Sequence, residues 1–365
     1  MRRVGRGCAP RSRGRDLGNR ADRGYPPAVI LAGDIGGTKT HLALFPPGGS
    51  PRRPALDRIY PSHDHASPDR LVQAFLEEAN ARPTRVVLGI AGPVVDNRAD
   101  ITNLPWAVDG RALGVSLGAE VRLINDLEAT GWGVSTLEPT DLAALHVAAH
   151  RDGASPGGNC ALIAAGTGLG EALLVWNGRD WTPSPSEGGH SDFGPRDALE
   201  DELLRWLRAR YGHVSYERVL SGPGLVDLYR FFRDTGRGVE PDEIRARFDG
   251  AEDPAAVVTE AAHAGTCERA RLTLERFCQI YGAEAGNVAL KFLAVGGVYV
   301  SGGIAPRILE ALRQGGFERA FLDKGRLQGV VERIPVQVVL DPATALWGAA
   351  AVALRAESEV PTRTS

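Results

Sequence analysis

Two segments of this chain share the order strand, glycine turn, strand, and this repeat constrains the fold more than any other feature. The first is residues 31–45 (LAGDIGGTKTHLALF), and the second is residues 163–176 (IAAGTGLGEALLVW). In each copy an apolar run leads into the turn and a strand-like segment follows it. Such a repeat predicts two related halves around a cleft. Two unrelated hairpins with similar turn chemistry are the alternative.

The rest of the chain alternates strands with helices. Strands are predicted at residues 28–32, 41–45, 85–90, 121–124, 160–165, 171–176, 297–301 and 335–340. Helices are predicted at residues 69–80, 127–132, 198–210, 224–233, 255–290 and 343–354. This alternation predicts α/β layers, and the length of 365 residues predicts two domains.

The N-terminus carries a charge that the rest of the chain does not share. Residues 1–24 contain eight Arg and two Asp, a local charge of +6, so the remainder is near −9 in a chain of net charge −3. The segment lacks the apolar region of a signal peptide. We expect residues 1–27 to be a disordered Arg-rich tail, or to precede the true start codon. A transit-like targeting segment is the alternative.

Composition bears on partners and compartment. A net charge of −3 indicates neither nucleic acid nor an anionic membrane as a partner, and no apolar run reaches the roughly 18 residues that span a bilayer. The cysteines form no CxxC pair and predict neither a disulfide framework nor structural zinc; they are Cys8, Cys160, Cys267 and Cys278. A reducing, cytoplasmic location fits this cysteine usage.

The segment GDIGGTKT at residues 33–40 looks like a nucleotide-binding P-loop but departs from that pattern. The pattern requires Gly at the sixth position, where this chain has Thr38, and a helix after the loop, where this chain has a strand. A phosphate would therefore be held by a hairpin turn. Gly36 and Gly37 let the backbone approach closely and point N–H groups inward as an anion nest.

Side chains around this turn add chemistry. The Thr38 hydroxyl and the Lys39 ammonium can donate to phosphate oxygens. Asp34 has the same sign of charge as a phosphate, so its place beside the turn predicts a bridging Mg²⁺, held through water. A plain Gly-Gly hairpin with a solvated Asp34 is the alternative.

The second copy of the repeat offers a second phosphate turn. Its sequence is GTGLG at residues 166–170, with the Thr167 hydroxyl as a donor. Alone, this pattern fits an ordinary turn equally well. Its pairing with the first turn favours phosphate binding.

Two polar positions supply candidates for acid–base chemistry and for sugar binding. Asp126 follows Asn125 at the end of a predicted strand, where α/β sites lie, and can act as the carboxylate base of a phosphoryl acceptor. A helix N-cap is the alternative role for Asp126. Glu187 and His190 flank a Gly-Gly turn and can orient the hydroxyls of a polyol. Half of a metal site, or a plain surface loop, are the alternatives there.

Taken in order, these segments resemble the bacterial glucokinases, within the actin-like ATPase and sugar kinase superfamily. The resemblance runs from about residue 30 to residue 354 and rests on LAGDIGGTKTHLALF, IAGPV, ITNLPWAVD, LINDLEA, AAGTGLGEALL, EGGHSDFGP, GHVSYERVLSGPGL and GGVYVSGGI. It implies the two-domain actin-like ATPase (ribonuclease H-like) α/β fold with an interdomain cleft. The small domain would comprise residues 28–136 plus 342–365, and the large domain residues 137–341.

The resemblance also implies roles for the matching residues. Asp126 would be the general base for the 6-hydroxyl of glucose, while Asp34 and the first turn would handle Mg²⁺ and phosphates. The other sugar-binding residues would be Asn103, Asn125, Glu187, His190 and Glu217. The nucleotide would be bound by Gly36, Gly37, Thr38, Lys39, Thr167, Gly168, Gly302 and Gly303. The implied substrates are ATP and glucose, in glycolysis, and the implied assembly is a homodimer.

Two departures bear on these expectations. The family often has Asn where Lys39 stands, which leaves ATP, ADP and polyphosphate open as donors. The related repressor and sugar-kinase (ROK) group has a cysteine-rich zinc motif after its sugar-binding histidine. In this chain His190 is followed by SDFGP, which predicts the non-ROK branch without structural zinc.

Other functions stay open on sequence alone. One is a kinase for another hexose, such as mannose, fructose or an N-acetylated sugar, although Glu217 favours plain glucose over a bulky N-acetyl group. A second is a sugar-binding regulator with reduced catalysis, against which Asp126 and both turns argue. A third is an actin-like or chaperone ATPase, in which the Glu187–His190 pair would have no purpose.

Overall fold

The computed structural model describes residues 29–101, 104–148 and 157–358. The predicted tail at residues 1–27 and the predicted sugar-binding residue Asn103 lie outside the described residues, as do residues 359–365. None of the helices in the described ranges is long and apolar enough to cross a membrane.

The described residues form alternating strands and helices. The strands are β1 (Val29–Ile35), β2 (Lys39–Phe45), β3 (Leu56–Pro61), β4 (Pro83–Ile90), β5 (Val94–Val95), β6 (Arg98–Asp100), β7 (Ala107–Asp109), β8 (Glu120–Asn125), β9 (Leu142–His146), β10 (Cys160–Ala165), β11 (Leu169–Trp176), β12 (Trp181–Ser186), β13 (Gly297–Ser301) and β14 (Val336–Val339). The helices are α1 (Pro68–Glu78), α2 (Gly110–Leu117), α3 (Asp126–Val134), α4 (Ala198–Tyr211), α5 (Gly222–Asp234), α6 (Asp242–Gly250), α7 (Pro254–His263), α8 (Glu268–Lys291), α9 (Leu309–Arg313), α10 (Gly316–Leu322), α11 (Gln328–Val331) and α12 (Thr344–Ser358).

Each half of the chain builds a sheet with the same central arrangement. The first sheet has the order β3-β2-β1-β4-β8, with β1 antiparallel to β2 and parallel to β4. The second has the order β12-β11-β10-β13-β14-β9, with β10 antiparallel to β11 and parallel to β13. The predicted repeat is confirmed, because both glycine hairpins occupy the same central place in their sheets.

The two sheets have separate hydrophobic cores. On β1, Leu31 packs with helix α1 on one face of the first sheet, whereas Ile30 packs with helix α12 on the other. Both faces are therefore buried, which explains the continuous apolar run of this strand. The second sheet packs on the long helix α8, where Ile163 and Phe277 share one core.

Helix α12 returns from the C-terminus to the first half of the chain, where it packs on α3 and β1. Its small residues make this approach possible. A Cβ added at Gly348 would lie 1.7 Å from the Ala129 carbonyl oxygen, and one added at Gly133 would lie 2.0 Å from the Thr344 carbonyl oxygen. The predicted small-residue helix is thus confirmed as a tightly packed one.

Apart from one, the other predicted elements are present, with ends that either match or are shifted by a few residues. The helix expected over residues 255–290 is two helices, α7 and α8. Gly265 follows α7 with a φ of +65°, a left-handed conformation that terminates helices. The prediction of a single helix over residues 255–290 was therefore wrong at this break.

Candidate active site

The first glycine turn joins β1 to β2 and is held from outside by Ser62. The Gly36 N–H donates to the Lys39 carbonyl oxygen at 3.0 Å, which closes the turn. The Ser62 hydroxyl donates to the Gly36 carbonyl oxygen at 2.7 Å, and the Ser62 N–H donates to the Thr38 carbonyl oxygen at 3.0 Å. Ser62 lies after β3 in no recognisable motif, so sequence reasoning missed it. The Thr38 and Lys39 side chains remain exposed.

Asp34 and Asp126 converge beside this turn. Asp34 on β1 is level with Gly89 on β4, which is level with Ile124 at the end of β8. A Cβ at Gly89 would lie 3.1 Å from the Ala129 Cβ, so this glycine lets the start of α3 pack closely over the sheet. Gly89 is a second residue that sequence reasoning missed.

The electrostatics follow from this convergence. Burial, and next the Asp126 carboxylate, raise the pKa of Asp34 to about 6, and Lys39 opposes this shift. Burial also raises the pKa of Asp126, against hydrogen bonds from backbone N–H groups. Two carboxylates with raised pKa values therefore stand at one edge of the first sheet.

The helix cap at the start of α3 is Asn125 rather than Asp126. The Asn125 Oδ1 accepts from the Leu127 N–H at 2.9 Å, and its Nδ2 donates to the Gly92 carbonyl oxygen at 2.9 Å. Asp126 is the first residue of the helix, and its Oδ1 accepts from the Leu127 N–H at 2.9 Å. The cap predicted as an alternative role for Asp126 is thus supplied by its neighbour.

The second glycine turn carries the carboxylate of Glu217. The Gly166 N–H donates to the Gly168 carbonyl oxygen at 2.8 Å, and the Leu169 N–H donates to Glu217 Oε2 at 3.0 Å. A Cβ at Gly168 would lie 2.4 Å from the same oxygen, so the turn accepts Glu217 because Gly168 has no side chain. Glu217, which is predicted to bind the sugar, is therefore in direct contact with the turn that is predicted to bind phosphate.

Glu187, His190 and Glu217 form one cluster. His190 Nε2 lies 3.5 Å from Glu217 Oε1, and His190 Nδ1 lies 3.8 Å from Glu187 Oε2. Glu187 and His190 are exposed and Glu217 is partly buried, so the cluster opens to solvent. Among the residues that the structure describes, no group of three or more His, Cys, Asp or Glu side chains is arranged to hold a metal ion.

Gly302 lies beside the second turn. Its φ is +86°, and a Cβ there would lie 2.2 Å from the carbonyl oxygen of Ala165, the last residue of β10. The Ile304 N–H donates to that same oxygen at 3.2 Å. A Cβ at Gly303 would meet nothing within 4 Å, so the space next to this residue is open.

Helix α3 connects the two halves of the site. A Cβ at Gly170 would lie 3.1 Å from the side chain of Leu127, which directly follows Asp126. Further along the helix, a Cβ at Gly131 would lie 2.9 Å from Leu174 on β11. The structure thus brings Asp126 close to the second turn. Within the described ranges, no hydrogen bond or ion pair joins the two glycine turns to each other, so their facing across a nucleotide stays a prediction.

A family model described as Glucokinase matches residues 31–356. The chain belongs to the glucokinase family. A glucokinase from Trichormus variabilis is 40% identical over 343 residues, which cover 90% of this chain and 99% of that protein. The crystal structure of a glucokinase from an Antarctic psychrotroph is 29% identical, with a TM-score of 0.76 and coverage of 90% and 99%. A ROK-family glucokinase from Streptomyces griseus, crystallised with glucose and AMPPNP, is 22% identical with a TM-score of 0.58, covers 90% and 99%, and shares the fold.

Family membership confirms the predicted resemblance, the actin-like ATPase fold and the predicted activity. The protein is an ATP-dependent hexose kinase that phosphorylates glucose. The regulator and the chaperone-like ATPase, kept as alternatives on sequence, are not favoured by these relatives. The individual residue roles stay predictions.

Proposed function

We propose that Asp126 is the general base that takes the proton of the glucose 6-hydroxyl while the γ-phosphoryl group of MgATP is transferred to that oxygen. The products are glucose 6-phosphate and ADP. The observation that carries this proposal is the convergence of Asp34, Asp126 and the first glycine turn at one edge of the first sheet. Such a transfer depends on positioning and charge stabilisation more than on covalent chemistry.

The environment of Asp126 suits a base. Burial raises its pKa, and a carboxylate with a raised pKa is a stronger base. The backbone N–H of Leu127 at the helix start stabilises the ionised form. Asn125 supplies the helix cap, so the carboxylate of Asp126 is not needed for that purpose.

Asp34 and the first turn would hold Mg²⁺ and the phosphates. Carboxylate oxygens suit Mg²⁺, and two carboxylates this close leave negative charge that a divalent cation would neutralise. When bound, Mg²⁺ neutralises charge on the phosphoryl oxygens. Gly36 and Gly37 would offer backbone N–H groups, while the exposed Thr38 and Lys39 side chains would donate from the rim.

The sugar would be bound by the cluster of Glu187, His190 and Glu217. Each of the two carboxylates lies within 4 Å of the His190 imidazole, and the cluster opens to solvent, as a polyol site requires. The Asn125 side chain is engaged with the Leu127 N–H, the Gly92 carbonyl oxygen and the Asp126 carboxylate, so its assignment to the sugar rests on the family resemblance. Asn103 is assigned to the sugar on the family resemblance alone.

The second turn would bind the remaining phosphate and the nucleoside. Thr167 is exposed at its tip, and Gly168 lets the backbone approach closely. Gly302 and Gly303 lie beside the same turn and would line the adenosine pocket. The glucokinase of Streptomyces griseus binds AMPPNP on the same fold, which supports an adenine nucleotide as the donor here.

We also propose a small domain of residues 28–136 plus 342–365 and a large domain of residues 137–341, with a cleft that closes on sugar. The separate cores of the two sheets support this division. Arg52 of the small domain binds Asp141 at 2.6 Å and Asp341 at 3.3 Å, next to the two crossings between the domains. A homodimer is proposed on the family resemblance. A cytoplasmic location without structural zinc, nucleic acid or membrane as a partner is proposed on composition and cysteine usage.

A coupled assay of ADP release tests the substrate assignment. Glucose, mannose, fructose and N-acetylglucosamine are compared at equal concentrations with ATP, and polyphosphate replaces ATP while glucose phosphorylation is followed. We expect glucose with ATP and Mg²⁺ to give the highest kcat/KM. A higher kcat/KM for another hexose or donor contradicts the proposed specificity.

A further inference from the structure

A second acidic pair, Glu171 and Glu284, lies beneath the proposed sugar cluster and has no role in the proposed reaction. Glu171 is on β11, two residues after Leu169, and Glu284 is on α8. Their exposures are 1% and 0%. Burial, and next the Glu284 carboxylate, raise the pKa of Glu171 to about 8. Oε1 of Glu171 is buried without a hydrogen-bond partner among the described residues. Oε1 of Glu284, in contrast, accepts a hydrogen bond from the Lys291 ammonium at 3.2 Å.

Glu171 directly supports the turn that carries Glu187 and His190. A Cβ at Gly188 would lie 2.2 Å from Glu171 Oε2, so the glycine backbone rests on this carboxyl group. The Ser186 hydroxyl donates to the Glu171 carbonyl oxygen at 2.9 Å and accepts from the Gly188 N–H at 3.2 Å. A movement of Glu171 is therefore passed on to this turn.

Glu284 supports the segment that carries Glu217. Asn287 Nδ2 donates to Glu284 Oε2 at 2.8 Å and to the Tyr216 hydroxyl at 3.1 Å. Tyr216 directly precedes Glu217, and its N–H donates to the Ser191 carbonyl oxygen at 3.0 Å. The two acidic residues therefore lie under both chain segments of the sugar cluster.

We propose that Glu171, in its protonated form, is a positioning residue for the sugar cluster, and that loss of its proton weakens glucose binding. The proposal rests on the proposed assignment of Glu187, His190 and Glu217 to the sugar. A protonated Glu171 can lie beside the ionised Glu284 and donate a hydrogen bond to it. If Glu171 were ionised, two carboxylates of like charge would be buried side by side. Their repulsion would be relieved by moving the two side chains apart or by admitting water, and either change would displace the segments that carry Glu187, His190 and Glu217.

Among the residues that the structure describes, four other ionisable groups face this pair: Lys291, Lys324, Tyr216 and Tyr281. Burial raises the pKa of both tyrosines and lowers that of Lys324. Because Glu171→Gln leaves all four groups in place, a difference between this variant and the wild type reports on Glu171. The glutamine amide keeps a hydrogen-bond donor towards Glu284 and cannot ionise.

The test measures kcat and both KM values from pH 6.5 to pH 9.5. For the wild type we expect the KM for glucose to rise about tenfold between pH 7 and pH 9.5, because the binding-competent protonated form is depleted above its pKa. The KM for ATP should change far less. In Glu171→Gln the KM for glucose should stay within about twofold over the same range. Glu275→Gln, a partly exposed site on α8, the helix that carries Glu284, is the charge-matched control and should behave as the wild type.

A KM for glucose that is independent of pH in the wild type, or that rises equally in Glu171→Gln, overturns the proposal. If Glu171→Gln does not fold, Glu284→Gln removes the opposing charge and should abolish the rise equally; a rise that persists in that variant also overturns the proposal. A merely structural role for Glu171 would change stability without changing the pH profile. An absence of glucose phosphorylation by the wild type at pH 7 would instead refute the proposed function.

Discussion

The two halves of the molecule each place an acidic pair beside a glycine turn, and the two pairs have different surroundings. In the first half, Asp34 and Asp126 are half-buried at the edge of the sheet. In the second half, Glu171 and Glu284 are sealed between β11 and α8. For Asp34 and Glu171 alike, burial is the main cause of the raised pKa, and the partner carboxylate is the next.

This difference shows how one repeated sheet arrangement supports two kinds of chemistry. Asp34 lies on the strand that enters its turn, and Asp126 begins a helix at the same edge, so both can reach a substrate. Glu171 lies on the strand that leaves its turn and faces the helix layer, so it supports other residues instead. The repeat determines where each glycine turn lies. Whether the acidic residue is on the strand before or after the turn determines whether it can contact a substrate or supports other residues.

The largest effect should come from Asp126→Asn, which tests whether catalysis belongs to the first pair. We expect kcat to fall by about 10²–10⁴, because a positioned base contributes that much, while glucose still binds. ADP release gives kcat, and tryptophan fluorescence titration gives the glucose Kd. Asp100→Asn, an exposed site on β6, is the control. A kcat near that of the wild type would show that Asp126 is not the base.

A smaller effect is expected from Glu217→Gln in the second half. A hydrogen bond from a sugar hydroxyl to the charged carboxylate contributes about 1.5–3 kcal/mol, so its loss should raise the KM for glucose roughly 10- to 100-fold. The KM for ATP should rise less, since the Leu169 N–H keeps an acceptor in the glutamine. Steady-state kinetics with each substrate varied measures both values, with Asp192→Asn on the neighbouring exposed loop as the control. A larger rise for ATP than for glucose would assign Glu217 to the nucleotide.

Ser62→Ala should affect the first turn alone. Removal of the hydroxyl leaves the Gly36 carbonyl oxygen without its 2.7 Å donor, at a cost of about 1 kcal/mol. The KM for ATP should therefore rise about fivefold, while the KM for glucose stays unchanged. Ser50→Ala in the exposed loop before β3 is the matched control. Equal changes in the KM values for ATP and glucose would mean that the first turn does not act on the nucleotide alone.

The smallest effect concerns stability and the sealed pair. The pKa of Glu171 is raised from 4.5 to about 8 on folding, so its favourable contribution is fully present below pH 4.5 and is lost as the pH rises to about 8. Between pH 5 and pH 8.5 the melting temperature of the wild type should fall a few degrees more than that of Glu171→Gln. Differential scanning fluorimetry measures both curves. If the two melting temperatures fell in parallel with pH, the pKa of Glu171 would not be raised in the folded protein.

Much of the fold was predictable because local patterns encode it. The strand at residues 160–165 and the strand at residues 297–301 were predicted with the bounds that the structure has. The break between α7 and α8 was not predicted, since one glycine with a positive φ leaves the helical periodicity on either side intact. In the candidate site, Asp34, Asp126 and both turns were proposed from their motifs, whereas Ser62 and Gly89 lie outside the recognised motifs.

The sequence by itself determined the two hairpin turns, the alternation of strands and helices, and the family, because each of these is written in residues that are close along the chain. The tertiary structure decided which of these residues meet. It placed Glu217 on the second turn, joined the Asn125 amide to the Gly92 carbonyl oxygen, and brought Glu284 beneath Glu171. Such contacts join residues far apart in sequence, and their pKa shifts arise from burial and neighbouring charge, which no local pattern records.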